Sequence, residues 1–501
     1  MALVDFLLYF VSLGLFTYLF LNFMNSRQKL KSPKLPPGPS SLSVLRNLPR
    51  MTKPYQFFSD LAKVYGPVIS VKIGFTRMVV VSSPAMAKEV LQKSDASFCD
   101  RSPFIAMTVL GHHETTIAFS PPNAHWRDLK KICKNYLFSK VRLDATQGVR
   151  GKQVQRLLAH VQDCCNTGTP VNISLGIFSI YLNFIAKTFF SEDLDDPQFN
   201  IAKDFWELVA GTLDLAGISN VADYVPLLKL VDPQGIKRRT SARYEKGTRI
   251  FKEVIARRLN SKVGKVELNK HNDMLDVILN AVHENNTEVK ESELPNILLE
   301  LLVGGYDTTS IVIEWAMAEL LNSPSKLEKA QAELAEVVGR GKPIEEDDID
   351  RLPYLRAIMK ETFRLHPPVP FLVPRKATTD VELSGFVVPK GTQVLVNVWS
   401  IGRDESVWKD ANVFQPERFM DCDIDFKGRN IELTPFGAGR RMCPGLPIAQ
   451  KMLHLILGSL LNSFNWKLEE GIRAENMNMD DKYGFTLGKA ERLQAIPTNI
   501  L

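Results

Sequence analysis

Cysteine is scarce in this chain. Six residues (Cys99, Cys133, Cys164, Cys165, Cys422 and Cys443) are scattered over 501 positions. That excludes a disulfide framework and suits a reducing compartment. Excess charge is also small, a formal +6. No dense basic tract or basic–aromatic interleaving accompanies it, so no nucleic-acid partner is expected. Internal repeats and low-complexity tracts are lacking, and no domain break shows between Tyr55 and Leu501. What remains is 45% hydrophobic and 24% charged, enough for a large globular core.

The N-terminus differs in kind. Phe6–Met24 is apolar apart from Ser12, Gly14, Thr17 and Asn22. As a helix it spans about 28 Å, close to the hydrocarbon thickness of a bilayer. Arg27, Lys29, Lys31 and Lys34 follow it and are expected to stay cytosolic. A cleaved signal peptide would carry a positive start, a shorter apolar core and a small-residue cleavage site. The reading is an uncleaved single-pass anchor over 1–25 and a basic, proline-rich linker over 26–40, stiffened by Pro36-Pro37-Gly38-Pro39. The body, 41–501, then faces the cytosol, where the sequons at Asn172 and Asn285 are inert. Ser261–Asn272, polar and lysine-rich, reads as a surface loop.

Helical periodicity dominates the body, as in Leu327–Val338, Tyr354–Leu365 and Leu446–Leu461. Short β-prone runs occur at Pro67–Ile73, Arg77–Val81, Val381–Val388 and Thr392–Val398. The fold class is therefore mainly α with small β-sheets.

Phe436-Gly437-Ala438-Gly439-Arg440-Arg441-Met442-Cys443-Pro444-Gly445 concentrates the chemistry. One cysteine sits among glycines and arginines, just before an apolar helix. Nearby cations and a helix N-terminus stabilise a thiolate, a role expected here of Arg440 and Arg441. Gly439 and Gly445 permit tight turns and close approach of a flat macrocycle, and Phe436 shields the sulfur. A thiolate on haem iron favours O–O cleavage.

Leu294–Asn322 reads as one long, buried helix, opened by Pro295 and ended by Pro324. In its middle stands Gly304-Gly305-Tyr306-Asp307-Thr308-Thr309. Two adjacent glycines cost about 1 kcal/mol each against alanine, and they open space beside a carboxylate and two hydroxyls able to relay protons. A kink with Asp307 capping the second half is the competing reading. Glu361 and Arg364 share a helical face; alone they form a common surface pair, but their apolar surroundings suggest burial with Arg418 as a further partner. Trp126 and Lys130 stand one turn apart on a face suited to a carboxylate, against the alternative of a solvated basic helix, and Arg375 shares that ambiguity. His112-His113-Glu114 is adjacent rather than convergent, so a loop is expected, not a metal site. Glu345–Asp348 reads as a solvated turn or helix start.

These motifs, in this order, resemble the plant microsomal cytochrome P-450 monooxygenases over essentially the whole chain. Val231-Asp232-Pro233-Gln234-Gly235-Ile236 and Gly458–Trp466 resemble the geraniol 8-hydroxylase group within them. The resemblance implies the cytochrome P-450 fold behind a transmembrane helix, with 41–501 as a haem-thiolate catalytic domain. It implies haem b with Cys443 as axial iron ligand, and Asp307 and Thr308 as the acid–alcohol pair. Trp126, Lys130, Arg375 and Arg441 would hold the propionates in a site completed by Phe436 and Gly439. Glu361, Arg364 and Arg418 would form a structural triad. It further implies an endoplasmic reticulum membrane location and electrons from NADPH through the flavins of an NADPH-cytochrome reductase docking near Cys443. O2 and a small lipophilic substrate, a terpenoid, would meet in a pocket drawing on Phe104, Ile105, Leu301, Gly304, Val369, Phe371, Phe485 and Thr486, with His112, His113 or Thr486 meeting a hydroxyl. The chain departs from the pattern in three places: Gly304 replaces an alanine, Lys130 replaces an arginine, and Tyr306 is bulky, though about 200° round the helix from Thr308. The alternatives are an O2-independent haem-thiolate isomerase or dehydratase, against which the intact Asp307-Thr308 argues, and a non-catalytic haem-based sensor.

Overall fold

A computed structural model describes residues 34–192, 200–262, 273–284, 287–469 and 471–500. The expected anchor (1–25), the linker up to residue 33, most of the 261–272 loop and the Asn285 sequon lie outside the described residues.

The longest described helix, α5 (Leu294–Asn322), runs through the centre. Pro295 sits in its first turn and Pro324 opens the next helix, so both ends fall where proline chemistry puts them. Around it pack α4 (Ile173–Phe190), α6 (Pro353–Leu365) and α7 (Leu446–Ser463), joined in one apolar core. At the periphery lie α1 (Pro54–Tyr65), α2 (Ala124–Ile132) and α3 (Gln147–Thr167). Among the described residues, two helices, Ile173–Phe190 and Glu291–Asn322, are long and apolar enough to cross a membrane. Both bury most of that surface inside the protein, as core helices do.

The β structure is minor, as expected. Strands β1 (Val68–Ile73), β2 (Thr76–Val81), β3 (Asp100–Arg101), β5 (Arg375–Lys376) and β8 (Gln393–Val396) form one sheet, ordered β1-β2-β8-β5-β3. Among the described residues, only β2 and β8 pair in parallel. A second sheet joins β4 (Val171–Asn172), β12 (Gln494–Asn499) and β9 (Phe464–Leu468). The run expected as one strand at Val381–Val388 is a hairpin, β6 (Val381–Leu383) and β7 (Phe386–Val388). Ser384 and Gly385 both adopt positive φ and reverse the chain. A last hairpin, β10 (Asp481–Tyr483) and β11 (Leu487–Lys489), projects its turn at α5.

Two acidic or metal-like motifs settle into ordinary roles. His112–Thr115 forms one helical turn rather than a loop. Among the described residues no cluster of metal-ligating side chains occurs. Glu346 is not solvated: it is buried between Arg150 and Lys451.

Candidate active site

The cysteine loop closes on itself before α7. The Cys443 amide donates to the Phe436 carbonyl at 3.0 Å. Gly439 has φ +71°, and a Cβ there would lie 2.2 Å from the Leu91 carbonyl oxygen, so only glycine fits. The Phe436 ring meets Phe363 of α6 edge-on at 5.2 Å.

Cys443 lies deep in the protein, yet its surface is accessible because the residue borders an internal space. Burial pushes its thiol pKa up, and the amides of Gly445 and Leu446 at the start of α7 pull it back. Arg440 and Arg441 do not provide the expected thiolate stabilisation. Asp95 takes the Arg440 amide at 2.9 Å and pairs with its guanidinium at 3.5 Å. The Arg441 guanidinium donates to the carbonyls of Cys99, Ile117 and Ser120.

Beside the loop, cations outnumber their partners. Arg441 stacks on Trp126 at 4.2 Å, and the Trp126 indole N–H donates to the Ile117 carbonyl at 3.1 Å. Lys130, one turn on, reaches the Arg440 carbonyl and lies over the same ring. Arg375 donates to Asp95 at 2.9 Å and to the Ala438 carbonyl at 3.0 Å. Arg101, missed in the sequence as a member of this group, donates to the carbonyls of Ala118 and Val373. Burial and then mutual repulsion hold Arg101 well below the usual guanidinium range, while Arg441 falls to about 10, mainly through burial. A buried surplus of positive charge is costly without an anion. This donor set fits a carboxylate-bearing group.

Opposite the loop, α5 is unbroken through Gly304–Thr309, so the expected alternative of a kink is not seen. The two glycines serve different ends. Gly304 is exposed, with nothing within 4 Å of a Cβ built on it. A Cβ on Gly305 would fall 1.9 Å from the Tyr181 hydroxyl, so this glycine lets α4 approach α5. Leu301, Gly304 and Thr308 border open space although α5 is central. Cys443 is accessible too, and its thiol feels the charge of Glu300, one turn before Gly304 on α5. The Thr308 hydroxyl donates to the Gly304 carbonyl at 2.9 Å. Tyr306 points elsewhere, packing edge-on against Phe178 at 4.4 Å.

Glu300, not singled out in the sequence, lies one i+4 step before Gly304 on the same ridge. Its carboxylate accepts the Ile117 and Ala118 amides, both at 2.7 Å, and so ties that segment to α5. Burial raises its pKa to about 7 against the pull of those amides. The signal was an acid in an otherwise apolar run.

The expected substrate residues divide. Phe104 and Phe485 pack on one apolar cluster with Ala106, Met107, Phe119 and Val373. Ile105 is buried, and its amide is bound to Asp223 at 2.8 Å. Val369 lies half-buried in a turn, accepting from the Leu372 amide at 3.0 Å. Phe371 belongs to the separate cluster under the first sheet, against Phe58 and Tyr483. Thr486 meets Asp307, donating to its carboxylate at 2.6 Å. His112 is buried beside Tyr244 at 3.2 Å and its pKa falls to about 3 through burial.

The fold and site together define a mainly helical body with a buried cluster of cations beside an accessible cysteine. The cytochrome P-450 family model matches residues 36–492, and the chain belongs to that family. It is 47% identical to a drimenol monooxygenase of Persicaria hydropiper, over 93% of each chain. It is 46% identical to a geraniol 8-hydroxylase of Catharanthus roseus, over 94% of this chain and 95% of that one. A zebra fish cytochrome P-450 structure with progesterone superposes with a TM-score of 0.75 at 25% identity, covering 89% of this chain and 99% of the other. The protein is thus a haem-iron monooxygenase that uses O2, a small lipophilic substrate and a redox partner.

Proposed function

We propose that this enzyme hydroxylates a terpenoid with electrons from NADPH delivered by an NADPH-cytochrome reductase. The observation that supports the site assignment is the accessible Cys443 sulfur beside the buried cation cluster of Arg101, Arg375 and Arg441. Both named plant relatives act on terpenoid alcohols, and the Phe104–Phe119–Phe485 cluster offers an apolar wall suited to such a substrate.

Cys443 would ligate the iron. Arg101, Trp126, Lys130, Arg375 and Arg441 would hold the propionates, and Phe436 and Gly439 would shape the loop. Bound haem with a thiolate ligand supplies O2 activation and O–O cleavage. The net reaction places one oxygen atom in a C–H bond and releases the other as water, consuming two electrons and two protons. The chain's own part is to exclude water, orient the substrate and bring the protons. Asp307 would hand on each proton from its carboxyl, and Thr308 holds its hydroxyl on the Gly304 carbonyl. Glu361, Arg364 and Arg418 would keep α6 fixed behind the loop.

The assignment to the endoplasmic reticulum, with an anchor over 1–25, rests on the apolar N-terminal run and the basic residues after it. Exposed Leu227, Leu230 and Val231 would rest on the same bilayer.

The test is turnover by microsomes carrying the full chain and a plant reductase, offered drimenol, geraniol, nerol, a diterpene and a phenolic. An NADPH-dependent product of any terpenoid with one added oxygen supports the reading. Oxidation of the phenolic alone would overturn the terpenoid assignment and leave the monooxygenase standing.

A further inference from the structure

Asp307 faces a different space from Thr308. Successive helical residues are about 100° apart, so the carboxylate emerges on a flank of α5. There it lines a pocket of about 410 Å³ with Asp214, Tyr306, Lys482, Thr486 and Arg492. Asp214, Lys482 and Arg492 are exposed, whereas Asp307 is buried. The pocket therefore runs from solvent to the carboxylate. Phe485 of the apolar cluster also lines it, whereas Gly304 and Thr308 do not. Asp307 stands between outside water and the interior.

The contact at its inner end is specific. Thr486, in the β10–β11 turn, donates its hydroxyl to Asp307 Oδ2 at 2.6 Å. The turn is held by the Gly484 amide, which donates to the Thr486 carbonyl at 2.9 Å. The nearby cation is engaged elsewhere: Arg492 pairs with Glu314 at 2.9 Å and reaches Ser174 at 3.2 Å. Asp307 is thus fixed by a neutral hydroxyl, which can donate or accept as it rotates, rather than locked in an ion pair.

Building on the assignment of Asp307 and Thr308 as the acid–alcohol pair, we propose that this flank pocket is the inlet through which solvent protons reach Asp307. Thr486 is the positioning residue that keeps the carboxylate at its inner end. Each proton Asp307 passes towards Thr308 is replaced from a pocket water, whose hydroxide returns to bulk solvent. The chain ends each cycle with the protons it began with. Burial raises the Asp307 pKa, the Thr486 hydrogen bond and Arg492 lower it, and Asp214 and Glu314 raise it. Tyr306, Lys482 and Lys489 also border the pocket.

The experiment compares full-length Thr486→Val, Thr486→Ser, Ala210→Phe and Asp307→Asn, reconstituted with reductase on whichever panel terpenoid the wild type oxidises. Ala210 lines the pocket, and phenylalanine there plugs it. Thr486→Val and Ala210→Phe are expected to cut product per NADPH about fivefold, with matching peroxide release and a larger solvent deuterium isotope effect. Thr486→Ser is expected to keep wild-type coupling. A readout without turnover accompanies these. The carboxyl infrared band absent from Asp307→Asn should titrate at higher pH in ferric Thr486→Val, since a hydrogen bond to the charged form is lost.

If Asp307→Asn uncouples while Thr486→Val and Ala210→Phe stay coupled, the inlet is overturned and the acid–alcohol pair stands. If Asp307→Asn stays coupled, the pair falls, and the inlet with it. A weaker substrate-induced spin shift in Thr486→Val, with coupling and isotope effect unmoved, would make Thr486 a substrate contact instead. Should Thr486→Val fail to show the thiolate-type CO spectrum of folded enzyme, Ala210→Phe decides.

Discussion

Arg364 holds Glu361 with two parallel hydrogen bonds, Nε to Oε2 at 2.7 Å and Nη2 to Oε1 at 2.8 Å. Both side chains are fully buried. Arg418 adds a third donor to the same carboxylate at 3.0 Å, and the Gln415 amide a fourth at 2.7 Å. Arg364 also reaches the carbonyls of Gly402 and Ala411. The group ties α6 to the segment that leads into the cysteine loop.

Breaking a buried pair leaves one charge without compensation, at about 3–5 kcal/mol. Glu361→Gln keeps the volume and strands two guanidinium groups. Its expected outcome is a folded yield too low to give a thiolate-type CO spectrum, checked by that spectrum and by thermal unfolding of any soluble fraction. Wild-type stability would remove the triad from the structural argument.

Cys443→Ala is expected to abolish the thiolate-type spectrum of the reduced CO complex. The loop itself should survive, because its closing bonds run through the backbone. Retention of that spectrum would defeat the ligand assignment.

The paired glycines predict opposite outcomes. Gly304→Ala meets open space and gains about 1 kcal/mol of helix propensity, so stability should hold or rise while the cavity narrows. Gly305→Ala drives a methyl into Tyr181, and overpacking of this kind costs about 1–3 kcal/mol. Thermal unfolding of both variants, set beside product profiles, separates the two roles.

Two buried histidines set a lower pH limit. Burial depresses His112 to about 3 and His454 to about 4, from an ordinary 6.5. The unfolded chain takes up protons below 6.5 that the folded chain refuses. This contribution is fully present above pH 6.5 and is lost as pH falls towards 4. A His112→Gln, His454→Gln double variant should show a shallower fall of midpoint temperature between pH 6.5 and 4.5. An unchanged slope would place the acid sensitivity elsewhere.

Local chemistry was legible in the sequence, and long-range pairing was not. Pro295 and Pro324 bound α5, and Glu361 and Arg364 share a face, because both follow from helical geometry over a few residues. Nothing local joins Thr486 to Asp307, 179 positions away. Asp95 likewise gives no sign in its own surroundings that it will accept from Arg375 and Arg440. The thiolate expectation failed for Arg440 and Arg441 because adjacency in sequence does not fix direction. Asp95 and a ring of carbonyls draw both side chains off the sulfur. Phe371 was assigned by position in a motif, but the sheet above it claims the ring.

The β10–β11 turn gives neighbouring side chains different partners, Phe485 the apolar cluster and Thr486 the Asp307 carboxylate, while both line the flank pocket. Selectivity and efficiency are therefore hinged on one three-residue segment. Loop exchange among relatives at this point is expected to alter the molecule chosen and the fraction of reducing power wasted together. A designer seeking a new substrate would do better to begin at Phe104 or Phe119, whose elements leave Asp307 undisturbed.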